Sequence, residues 1–150
     1  GTFTDAYATN MGICNSEGGE CARLRHYLGR DDLKFIYYVK PESSGDLGGR
    51  DAVESMKAAY FLDKPDALCV AGPVAGKKSD AQLMARVREA FPDSVIFANT
   101  GVNPNTIGEL FTYANAAFVG TYLKKDGVFE NAVDPERVKR LMDQANQLRK

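Results

Sequence analysis

The chain has only three cysteines and one histidine, and neither type is arranged for chemistry. Cys14, Cys21 and Cys69 cannot all pair within the chain, and none forms a CxxC or joins His26 in a ligand set. This argues against a disulfide framework and a dedicated metal site, and it points to a reducing cytosol. No apolar run approaches the roughly 18 residues of a membrane span, and no signal-peptide pattern is present. A cytoplasmic protein without membrane insertion is expected. Nor is there an excess of charge: 19 basic residues face 20 acidic ones, which disfavours a broad basic face for nucleic acid. Linkers and low-complexity segments are absent too, so residues 1–150 read as one domain, and 44% hydrophobic content suffices for a core. The sequence starts at Gly1 rather than Met, so upstream residues are expected.

What is present is an alternation with a period of about 30 residues. Short apolar runs at 35–40, 67–72, 95–98 and 116–122 read as strands covered on both faces of a parallel sheet. Amphipathic stretches lie between them. Glu17 to Gly29 places Cys21, Leu24 and Leu28 on one face, and Arg50 to Leu62 groups Val53, Met56, Ala59 and Tyr60. Ser79 caps a helix that carries Leu83, Met84 and Val87 inward and stops before Pro92. Asn103-Pro104 opens a helix ending near Tyr113, and Asp134-Pro135 opens the last one, with Val138, Leu141, Met142 and Ala145 inward. The segment from Thr2 to Ala8 reads as a further strand or the end of one. Strict alternation implies right-handed crossovers between parallel strands. A closed barrel needs eight strands, so the pattern fits either an open doubly wound sheet or about half a barrel.

Two strand ends run into glycine-containing turns, Asn99-Thr100-Gly101-Val102 and Gly120-Thr121. Ligands bind where parallel strands end, and glycine lets backbone amides approach phosphate oxygens. Thr100, Gly101, Val102, Gly120 and Thr121 are therefore the candidate phosphate-binding residues. The plainer reading is that glycine only permits a tight turn.

The C-terminal part resembles the BtpA family, which includes SgcQ-type proteins. Its G-T-S-L-K-x-D-G motif is matched by Gly120-Thr121-Tyr122-Leu123-Lys124-Lys125-Asp126-Gly127, and its N-P-V-D-x-x-R-V motif by Asn131-Ala132-Val133-Asp134-Pro135-Glu136-Arg137-Val138. Weaker matches follow in order: Tyr7 to Gly12 for a Y-x-T-D-x-G-like turn, Asp66 to Gly72 with Ala75, Gly76 and Asp80, and Asn99 to Val102 for G-S-G-V. The resemblance covers most of the chain but only the C-terminal half of a family member. It implies an α/β fold equivalent to the (β/α)4 to (β/α)5 portion of a ribulose-phosphate-binding TIM barrel. It also implies a small phosphorylated ligand at the last two βα loops, assigns no reaction, and calls for no cofactor. Asn10 stands where the family has Asp, Asn99 where it has Gly, and the strand from Ile36 to Lys40 lacks the acidic residue and His expected beside the Lys. These departures remove general-base positions and favour a non-catalytic assembly or interaction protein as the alternative.

Further pocket candidates are Asp5, Thr9, Asn10, Lys40 and Gly72, each at a strand end. Lys40 would neutralise phosphate or serve as an amine; otherwise it is a solvated strand-end lysine. His26 reads as a surface residue. The loop Gly72 to Ser79 has three residues between its first and second glycines and a second Lys before Ser, so it is not a P-loop. Lys124-Lys125-Asp126-Gly127 reads as a solvated turn or a small charged lid. A half-barrel leaves edges at Phe118-Val119 and at the Phe3 or Phe35 strand, and their burial by a second copy makes a homodimer the expected assembly.

Overall fold

A computed structural model describes residues 4–72 and 80–149. The readings that fall on Thr2, Phe3, Ala75, Gly76 and Ser79 lie outside the described residues. The frame is a parallel sheet of four strands, β3 (Ile36–Val39), β5 (Ala67–Val70), β6 (Ile96–Ala98) and β7 (Ala116–Ala117), in the order β3-β5-β6-β7. Register runs Ile36 to Ala67, Leu68 to Ile96 and Phe97 to Ala116. β5 is buried at every position because both its neighbours and both faces are covered. That is why Ala67-Leu68-Cys69-Val70 is continuously apolar rather than alternating.

The N-terminal segment departs from strict alternation. β1 (Tyr7–Thr9) pairs antiparallel with β2 (Gly12–Cys14) and with β4 (Gly45–Asp46), forming a second sheet beside the first. The described part of the Thr2 to Ala8 segment is therefore not a fifth parallel strand. Its contacts to the main sheet run through Tyr7, whose hydroxyl accepts from the Lys40 N–H at 3.2 Å, and Thr4, whose hydroxyl donates to the Tyr38 carbonyl at 3.3 Å.

Helices α2 (Ala52–Leu62) and α3 (Ala81–Ala90) start at aspartates. Asp51 accepts from the Val53 N–H, and Asp80 from those of Gln82 and Leu83, satisfying amides that the helix leaves unpaired. Asp80 thus supplies the cap expected of Ser79. Met56, Met84 and Val87 are fully buried against the sheet, each contributing about 1.5–3 kcal/mol. The last helix, α5 (Pro135–Leu148), starts with Asp134 accepting from the Glu136 N–H and buries Leu141 and Ala145. Met142 is exposed, one position off the buried stripe.

Other expectations are corrected. α1 (Gly18–Tyr27) buries only Gly18, while Leu24 and Leu28 are exposed, because the helix flanks edge strand β3. The helix expected from Asn103 to Tyr113 contracts to α4 (Ile107–Leu110). Asn103 accepts from the Asn105 N–H, and residues 104–106 and 111–113 form turns on either side. The strand expected over 116–122 keeps its ladder only to Phe118, whose N–H donates to the Ala98 carbonyl, before turning into 3-10 helix at Thr121–Leu123. No helix among the described residues is long and apolar enough to cross a membrane.

Candidate functional site

All four parallel strands end at one edge of the sheet, so the segments that follow β3, β6 and β7 converge there. After β6 the chain turns through two successive left-handed residues, Thr100 at φ 70° and Gly101 at φ 68°. Glycine takes this conformation freely, whereas the β-branched Thr100 takes it at a cost of about 1–2 kcal/mol. The turn is locked from below: the Thr106 hydroxyl and the Asn103 amide both donate to the Gly101 carbonyl, at 3.0 and 3.1 Å. After β7, Gly120 sits at φ −116°, and a Cβ there would meet no heavy atom within 4 Å. The glycine's effect is to leave space.

The two turns line one cleft of about 300 Å3. Thr100, Gly101, Val102, Gly120 and Thr121 all border it, with Asn99, Glu42, Tyr122 and Arg137. The N–H groups of Gly101, Val102, Gly120 and Thr121 bond to no acceptor among the described residues. Successive open amides of this kind form concavities for anions.

Arg137 was quoted in the sequence motif but not named as a site residue. It lies in the first turn of α5, where its Nε donates to the Tyr122 carbonyl at 2.6 Å and its guanidinium stacks 4.6 Å from the Tyr122 ring. No carboxylate among the described residues pairs with it. Its signal in the sequence was its place in the motif, three residues after the helix cap.

Glu42 was missed as well. The strand from Ile36 to Lys40 does lack an acid, but the chain supplies one two residues later, past Pro41. Its carboxylate accepts from the Thr100 hydroxyl. That hydroxyl also accepts from the Gly72 N–H at 3.3 Å, and the Asn99 amide donates both to it and to the Tyr38 hydroxyl. Burial above all, then the neighbouring Cys69 and Glu42, pushes the Tyr38 phenol well above its ordinary range. Burial likewise pushes the Cys69 thiol up to about 12. Both groups stay protonated at neutral pH, so Cys69 is not an activated nucleophile.

The remaining candidates lie elsewhere. Lys40, left-handed at φ 51°, puts its ammonium on the Asp46 carboxylate and the Arg50 carbonyl. It is neither a solvated lysine nor available to the cleft. With Gly72, Tyr7 and Asp80 it lines a separate cavity of about 320 Å3. Asp5 is buried and faces Arg50 at 3.4 Å. Thr9 and Asn10 sit at the β1–β2 hairpin, where the Thr9 hydroxyl closes the turn by donating to the Gly12 carbonyl at 2.9 Å. Neither Thr9 nor Asn10 borders the cleft or the second cavity. His26 is on the surface, 3.6 Å from Asp31. Among the described residues no group of three or more His, Cys, Asp or Glu could hold a metal.

Comparison with known proteins adds a family to this geometry. A profile of the BtpA family matches residues 1–147. SgcQ of Escherichia coli K12, named for the sgc region, is 39% identical over 148 residues, which are 99% of this chain and 55% of that protein. An uncharacterised protein of Thermococcus kodakarensis is 36% identical over 94% of this chain and 52% of its own length. The photosystem I biogenesis protein BtpA of Synechocystis is 24% identical over 91% of this chain and 47% of its own. The chain thus spans about half the length of the curated relatives it matches. With the profile covering nearly every residue, including both cleft-forming turns and Arg137, the chain belongs to the BtpA family.

Proposed function

We propose that the cleft binds a small phosphorylated molecule, held by the Thr100-Gly101-Val102 loop, the Gly120-Thr121 turn and Arg137. The observation that carries this reading is the convergence of open backbone amides from two loops with a guanidinium that has no acidic partner among the described residues. Each charge-assisted bond is worth about 1.5–3 kcal/mol, enough to hold a phosphate without a metal. Calorimetric titration with inorganic phosphate tests it. Arg137→Gln should weaken binding at least about tenfold, and Thr121→Val by less. Heat signals from phosphate that are the same in both variants as in the native chain would refute it.

The half-length match supports a second structural proposal, that this chain corresponds to the C-terminal half of a (β/α)8 barrel in one domain. Among the described residues strands β3 and β7 each pair on one side only, and an apolar groove of about 510 Å3 runs along β7 between α4 and α5. The 150-residue chain would then cover these surfaces by forming a homodimer. Sedimentation as a stable monomer at micromolar concentration would count against that. The alternative function, an assembly or interaction factor with a vestigial pocket, draws on the name of the Synechocystis relative and on the exposed Leu24, Leu28, Phe61 and Leu62. A cleft that binds no phosphate would favour it.

A further inference from the structure

Two opposite charges border the same cleft without meeting. Glu42 is fixed by the Thr100 hydroxyl and has no basic partner among the described residues. Arg137 is fixed by the carbonyl and ring of Tyr122. A carboxylate and a guanidinium that can reach each other usually form a bidentate pair. Here each is tied to its own wall instead. Partial burial of an uncompensated charge costs free energy, and a ligand lying between the two would offset it.

We infer that the cleft is dipolar: it selects a ligand with a phosphate at one end, toward Arg137, and hydroxyl or amine donors at the other, toward Glu42, and it rejects ligands anionic at both ends. This rests on the phosphate reading above and names the class of molecule. An ionised carboxylate only accepts hydrogen bonds, so Glu42 rewards donors. A second phosphate on that side would face like charge, the repulsive element that creates specificity. At about 300 Å3 the cleft lies at the small end of the range for ligand pockets, so a sugar phosphate filling it would contact Glu42.

The test is calorimetric titration of the 150-residue chain with inorganic phosphate, fructose 6-phosphate, fructose 1,6-bisphosphate and phosphoethanolamine. The monophosphates should bind about tenfold more tightly than the bisphosphate. Glu42→Gln keeps an oxygen for the Thr100 hydroxyl but removes the charge, and it should bring the ratio close to one. Glu42→Asp keeps the charge and should keep the preference, which separates charge from mere disturbance of the loop. Arg137→Gln should weaken every phosphate together. A preference for phosphoethanolamine over fructose 6-phosphate would identify the donor as an amine, and the reverse as hydroxyls; either supports the inference. Failure of inorganic phosphate to bind the native chain would overturn the phosphate reading and this inference with it. Binding of phosphate with equal affinity for the two fructose phosphates, or with a ratio unmoved in Glu42→Gln, would overturn this inference alone.

Discussion

Replacing Thr100 by Val isolates what one hydroxyl does at the centre of the cleft. The substitution preserves shape and β-branching, so the cost of φ 70° is the same in both proteins. What disappears is the bond to the Glu42 carboxylate and the acceptor of both the Gly72 N–H and the Asn99 amide, which keeps its bond to the Tyr38 hydroxyl. A bond to a charged group is worth about 1.5–3 kcal/mol, and a buried N–H left unpaired costs about 1–3 kcal/mol. Glu42 is only half-buried and can recover water, so the sum belongs at the low end, about 2 kcal/mol. Urea unfolding followed by far-UV circular dichroism reads this as a midpoint lowered by about 1 M at unchanged slope. Thr100→Ser is the control: it keeps the hydroxyl and relieves the branched residue at positive φ, so it should match the native chain or exceed it by up to about 1 kcal/mol. A loss below about 0.5 kcal/mol in Thr100→Val would show that the loop is held by backbone geometry rather than by its hydroxyl.

Three further outcomes are expected. Arg88 donates to the carbonyls of Tyr113, Pro92 and Ser94 and to the Asn115 side chain at 2.6–3.0 Å, so Arg88→Ala should lower stability by about 2–3 kcal/mol, and Arg88→Lys should not restore it because an ammonium lacks the planar fork; thermal unfolding of the pair checks this. In the native protein a thiol reagent should modify Cys14 and Cys21, both partly exposed, while Cys69 reacts only after denaturation, since it is fully buried and its thiol is pushed up to about 12. For Asp66, burial raises the carboxyl's affinity for protons, but the Phe35 N–H, Lys34 and Arg25 outweigh it and leave the group below its ordinary value. Its contribution is therefore complete above the unfolded value of about 3.9 and is lost as pH falls through the lower folded one, which an Asp66→Asn variant with a flattened acid-unfolding limb would confirm.

Several elements were legible in the sequence because their causes are local. Asp134-Pro135 starts α5 through one side-chain bond and a preset proline, and the continuous apolar run at β5 reports burial on both faces. The last-helix motif and the two glycine turns were also readable as strings, which is how the family came into view. Failures occurred where a segment's partner decides its state. Tyr7 to Thr9 has strand composition, but only pairing with Gly12–Cys14 and Gly45–Asp46 makes it antiparallel and places Thr9 and Asn10 in a hairpin that does not line the cleft. Leu24 and Leu28 have inward spacing, yet beside an edge strand no described element covers them and both stay exposed.

The sequence by itself determined the alternation of the parallel strands β3, β5, β6 and β7 with helices, the Asp134-Pro135 start of α5, and the residues of the two turns, because these depend on contacts within a few positions. Only the tertiary structure decided which polar groups share the cleft. It joined Glu42 to Thr100 across 58 positions of sequence, brought in Arg137 from the last helix, and committed Lys40 to Asp46 instead. Parallel strands ending at one edge of a sheet bring such distant residues together, and no local pattern records that.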